Sequence, residues 1–99
     1  MHQFKLIDSS YTVSEAREIL LTILNSKIQF HQLKTFSHDI RFGRPDEHSE
    51  KRIKELEETR RAINDLLMEY ENTDAKFNVQ SMLTLQLSTT KINEHQPAD

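Results

Sequence analysis

Phe42-Gly43-Arg44-Pro45-Asp46 holds the single glycine of a 99-residue chain and one of its two prolines. A long helical pattern precedes this stretch and another follows it, so the turn is expected to fold the chain into a hairpin of two antiparallel helices. Gly43 suits a left-handed helix stop, and Pro45 cannot extend the helix before it. Asp46 or Ser49 can cap the second helix. Asp46 is preferred, because a helix starting there sets Glu47 and Glu50 near its positive end.

The arms on either side carry apolar residues at alternating spacings of three and four. The first reads Ala16, Ile19, Ile23, Ser26, Phe30, Leu33, Ser37, Ile40, and the second reads Ile53, Leu56, Arg60, Ile63, Leu67, Tyr70. Laid antiparallel so that Phe30 meets Ile63 and Ile40 meets Ile53, they put Ser37 against Leu56 and Ser26 against Leu67, small facing large. The same alignment sets Arg41 beside Glu50, Lys34 beside Glu57 and Lys27 beside Asn64. Exposed pairs of this kind contribute about 0.2–1 kcal/mol each, so they select a register more than they stabilise it.

Further out, Gln3 to Asp8 reads as a short strand, with Phe4 and Leu6 on one face and Lys5 and Ile7 on the other. Thr12-Val13-Ser14-Glu15 has capping-box spacing, with Tyr11 and Ala16 at the flanking staple positions, so helix 1 starts at about Val13. Beyond Asn72-Thr73-Asp74 the period becomes two: Phe77, Val79, Ser81, Leu83, Leu85 and Leu87 alternate with more polar neighbours, as in a half-buried strand. Short connections make the two strands antiparallel if they pair.

The expected fold is α+β, a two-layer βααβ unit. Its long antiparallel helical hairpin (about 13–42 and 47–71) packs on a small antiparallel sheet (about 3–8 and 77–88). The apolar face of the second strand is expected to cover Leu20, Leu24 and Leu66. Residues 1–88 form one domain, and 89–99 read as a disordered tail.

Composition narrows the function classes. Hydrophobic residues make up 35% of the chain, and the mean hydropathy is −0.71. Such a chain is expected to be elongated or to complete its burial with a partner. A net charge of −3 argues against a general polyanion binder, and the lack of cysteine removes thiol chemistry. No apolar run approaches a membrane span or a signal peptide. The expected setting is cytoplasmic.

Three groups of residues are candidates for function. The turn tip gathers Arg41, Phe42, Arg44, Asp46 and His48 into one surface suited to a protein partner, as loop tips often are. Against this, Phe42 has a packing role under the turn open to it. The second group is the cationic stripe Lys27, His31, Lys34, His38 and Arg41, which resembles a helix face laid along phosphates. Its competitor is that Lys34 and Arg41 are spent on acids of helix 2. Third, His38 and His48 can approach across the turn with Asp39, Asp46 or Glu50 as a further ligand. No tight ligand spacing such as HxxxH or HExxH supports a metal, and none is assigned.

Catalysis has little support. Ser37 and Ser49 lie near histidines in sequence without a nucleophile-elbow pattern, and one glycine cannot build a phosphate loop. The expectation is a homodimeric protein-interaction or scaffold module without catalytic activity or cofactor, joined by the edges of the second strand or by helix packing, its partners a second copy and another protein. The alternative is a nucleic-acid-associated regulator using the stripe on helix 1.

Overall fold

The computed structural model describes residues 1–88. The tail expected over 89–99 lies outside them. In order the elements are β1 (His2–Thr12), α1 (Val13–Phe42), α2 (Glu47–Met68) and β2 (Lys76–Leu85). The α+β class and the βααβ order are those read from the sequence. β1 and β2 pair antiparallel as a two-stranded sheet.

Local chemistry sets the boundaries. Thr12 caps α1 with its hydroxyl accepting from the Glu15 amide at 3.1 Å, while the Thr12 amide donates to the Glu15 carboxylate at 2.9 Å. Two of the orphan donors at the helix start are thereby satisfied, which explains why the helix begins there. At the other end Gly43 adopts φ 72°, and its amide donates to the Asp39 carbonyl at 2.7 Å. α2 begins after Asp46 as expected and stops at Met68, three residues short of the expected end.

Thirty residues of α1 against 22 of α2 leave the first helix much the longer. The connection uses that difference. From Gly43 the chain runs back along α1: the His38 Nδ1 donates to the Arg44 carbonyl at 2.8 Å, and the Asp46 amide donates to the Thr35 hydroxyl at 2.9 Å. α2 therefore starts level with Thr35. The last two turns of α1, roughly 10 Å of helix, project beyond α2.

This corrects the expected seam. The buried residues of α1 are Val13, Ala16, Leu24, Ile28 and His31, and those of α2 are Ser49, Leu56 and Leu67. Leu24, Ile28 and Leu56 form one cluster with Leu21, Ile53 and Ile63 around it. The α2 side of the seam is the one expected. On α1 the facing stripe is a different one, and Phe30, Leu33 and Ile40 are exposed. Because α2 is drawn back along α1, the pairs of Arg41 with Glu50, Lys34 with Glu57 and Lys27 with Asn64 are displaced. Asn64 instead accepts from Arg17 Nε at 3.3 Å, and Asn25 accepts from Arg60 at 2.6 Å. The Arg17 guanidinium also grips both oxygens of Glu71, at 2.6 and 3.1 Å.

The sheet meets the helices at its root. Val13, Ala16 and Leu67 form the second cluster, packed by Tyr11, Ile63, Ala75 and Phe77. Tyr70 stands edge-on to Phe77 with ring centroids 5.4 Å apart. Of the three leucines expected beneath β2, Leu24 is buried by the helix seam and Leu66 stays 47% exposed.

Within the sheet, Phe4 pairs with Leu83 and Ile7 with Ser81, with a register shift between Lys5 and Ile7. One residue, Leu6, is extra. Such a bulge reverses the alternation of faces, so Phe4 and Ile7 lie on the same side instead of on opposite ones. Ile7 is buried, while Phe4, Leu83 and Leu85 farther from the root are exposed. The molecule spans 50 × 33 × 14 Å with a radius of gyration of 16.8 Å, against about 12.6 Å for a compact chain of this length. A shape so thin encloses two small clusters and no single large core.

Candidate functional site

The turn is held by a polar lattice that begins inside the helix seam. His31, Thr35 and His38 share one face of α1, at helical spacings of four and three. His31 is fully buried, as is Ser49. The Ser49 hydroxyl donates to Asp46 Oδ2 at 2.9 Å and lies 3.4 Å from His31 Nδ1. A serine has one proton, and here Asp46 takes it, so the hydroxyl accepts from His31 and the Nδ1 carries the hydrogen.

That order of protons is the reverse of a nucleophilic triad. An activated serine gives its proton to histidine, and the carboxylate orients the far side of the imidazole. Here the carboxylate binds the serine directly, and a ring with 0% exposure is out of reach of a substrate. The set works as a clamp that joins α1, the turn and the first turn of α2.

Asp46 is the charged member of the clamp. Its partial burial acts to raise its pKa, but the Ser49 hydrogen bond and the nearby charges of Lys34 and His38 outweigh this and hold it below the ordinary value of 3.8. The charge of Lys34 is thus felt at Asp46, on the turn.

Of the five residues expected to form a contact tip, Arg41, Phe42, Arg44 and His48 are exposed, and Asp46 is half-buried in the clamp. The Phe42 ring lies against His38, tilted by 46° with centroids 4.6 Å apart. Arg44 borders a shallow mixed-charge depression with Pro45, Glu47, Glu50, Lys51 and Lys54. The cationic stripe is divided. Arg41 is exposed, Lys27, Lys34 and His38 are half-buried, and His31 is enclosed in the seam. A phosphate backbone cannot touch all five at once. Among the described residues no three histidine, aspartate or glutamate side chains gather where one metal ion could hold them.

The structure also exposes a surface whose sequence repeat predicts a buried seam. Phe30, Leu33, Phe36 and Ile40 are 48%, 61%, 61% and 70% exposed along the outer side of α1. Their repeat was visible in the sequence, except for Phe36. What was not visible is that α1 carries two apolar stripes and spends only one on α2. Phe4, Leu83 and Leu85 make a smaller exposed apolar strip on the sheet.

No protein-family model matches the chain, and neither the curated proteins nor the solved structures gave a significant match. Among the described residues no helix is long and apolar enough to cross a membrane.

Proposed function

We propose that this chain is a cytoplasmic, non-catalytic protein-interaction module that works as a homodimer. One observation carries the reading: from Phe30 to Ile40, about three turns, the outer stripe of α1 leaves its large apolar side chains in water. Isolated surface leucines need no explanation, but a contiguous row of large apolar side chains along one helix marks a contact surface. The exposed tip residues Arg41, Phe42, Arg44 and His48 supply a second, mixed polar and aromatic surface for another protein. The non-catalytic part is supported by the Ser49–Asp46–His31 arrangement, whose proton order and enclosure suit structure over turnover.

Light scattering across a concentration series tests the module. A mass of twice 11.7 kDa that falls toward 11.7 kDa on dilution is expected. A constant monomer mass at high concentration defeats the reading. Binding to nucleic acid that falls steeply with salt would replace it by the regulator alternative.

A further inference from the structure

We propose that the outer stripe of α1 docks against the same stripe of a second copy, with the two α1 helices antiparallel. This rests on the homodimer reading above and gives it a geometry. The stripe comprises Ile19, Ile23, Ser26, Phe30, Leu33, Ser37 and Ile40, spaced four and three in strict alternation. That is the period of a left-handed two-helix seam. α2 lies against Ala16, Leu24, Ile28 and His31, which leaves Phe30, Leu33 and Ile40 of the stripe exposed and Ile19 and Ile23 half-buried.

Area favours a second copy as the occupant. At roughly 200 Å² for a whole large side chain, the exposures of Phe30, Leu33, Phe36 and Ile40 leave about 500 Å² of apolar surface in one strip. A standard interface takes about 800 Å² from each partner, and about 65% of it is apolar in homodimers, which comes to about 520 Å². The stripe matches what one protomer must contribute. The remaining sequence, Thr89 to Asp99, carries no apolar repeat that could cover it.

Volume selects the direction. Antiparallel, with Ile23 level with Leu33 of the second copy, the layers become Ser26 on Phe30 and Ser37 on Ile19, each small residue facing a large one. Parallel, every residue meets itself, so serine faces serine in two layers and phenylalanine faces phenylalanine in a third. Unfilled space of that kind costs kilocalories. The antiparallel form has one unfavourable pair, half-buried Lys27 across the two-fold axis, and a like-charge pair on a helix surface costs a few tenths of a kcal/mol. The flanks otherwise meet as Leu20 on Lys34, Gln29 on Gln29 and Phe36 on Thr22, with no charge opposed.

The chain has no cysteine, so introduced thiols report alone. Ser37→Cys, at an exposed position, is oxidised by itself and after co-refolding with an equal amount of Ile19→Cys. Antiparallel docking sets the two Ser37 positions roughly 27 Å apart by helical rise, too far for a disulfide. The expected result is no cross-link in Ser37→Cys alone and a mixed disulfide in the pair. Ser26→Cys with Phe30→Cys is a second pair with the same expectation, should Ile19→Cys fold poorly. A dimer that cross-links Ser37→Cys to itself overturns the antiparallel geometry. So does a dimer in which neither mixed pair joins, and both results leave the homodimer standing. A monomer mass at all concentrations overturns both.

Discussion

Leu66 and Leu67 are neighbours of the same type, and their replacement by alanine separates this packing from the expected one, in which the helix seam buries Leu67 and β2 covers Leu66. Leu67 is 2% exposed and sits among Val13, Ala16, Ile63 and Phe77, where helices and sheet meet. Removing three carbon atoms there loses about 2.4 kcal/mol of transfer free energy, and the cavity left behind brings Leu67→Ala to about 3–4 kcal/mol. Leu66 is 47% exposed, leaves no cavity when trimmed, and costs about 1 kcal/mol or less. The assay is urea unfolding followed by circular dichroism, both variants at one protein concentration. With m near 1–1.5 kcal/mol/M for so small a chain, Leu67→Ala lowers the midpoint by roughly 2–4 M and Leu66→Ala by about 1 M or less. Since a chain of this size is held by roughly 5–15 kcal/mol, the Leu67 loss is a large share of the whole. Equal midpoint losses would falsify the packing described.

Other outcomes follow from the caps, the turn and the carboxylates. Gly43→Ala meets no atom within 4 Å, so its cost is the left-handed backbone alone, about 1 kcal/mol in thermal or urea unfolding, with Gly43→Asn milder. A larger loss for alanine would mean that a contact is missing from this account. Thr12→Ala removes the capping hydroxyl and costs about 1 kcal/mol, and amide exchange in the first turn of α1 should quicken with it. Among the described residues three carboxylates sit below their ordinary values: Glu15 through the Thr12 amide and hydroxyl, Glu71 through Arg17, and Asp46 through Ser49, Lys34 and His38 acting against its burial. A lowered folded-state pKa favours the folded state while the group is charged. The stabilisation is therefore full above the ordinary values of 4.5 and 3.8 and is lost as the pH falls through the lowered ones. Arg17→Met should remove the Glu71 share of that acid sensitivity, and a pH–stability curve unchanged by it would argue against the bridge.

Legibility in the sequence followed the range of the interaction. The capping box at Thr12, the left-handed stop at Gly43 and the start of α2 after Asp46 each depend on residues within one turn of each other, and all three were readable. So was the two-residue period of β2, since alternation is a property of the strand itself. The Arg17 grip on Glu71 was not, because the pair lies 54 positions apart and belongs to no local pattern. The Leu6 bulge also left no mark in composition, and it reversed the faces of Phe4 and Ile7.

By itself, then, the sequence determined where each element begins, that the order is βααβ, and that the helices turn back on each other at Gly43. Only the tertiary structure decided which side of α1 faces α2. Two apolar stripes compete on that helix, and the one with the regular repeat loses to one that includes His31 and Thr35. The reason is physical: those two polar side chains tie down Ser49 and Asp46, draw the start of α2 back along α1, and thereby set the register of everything that follows.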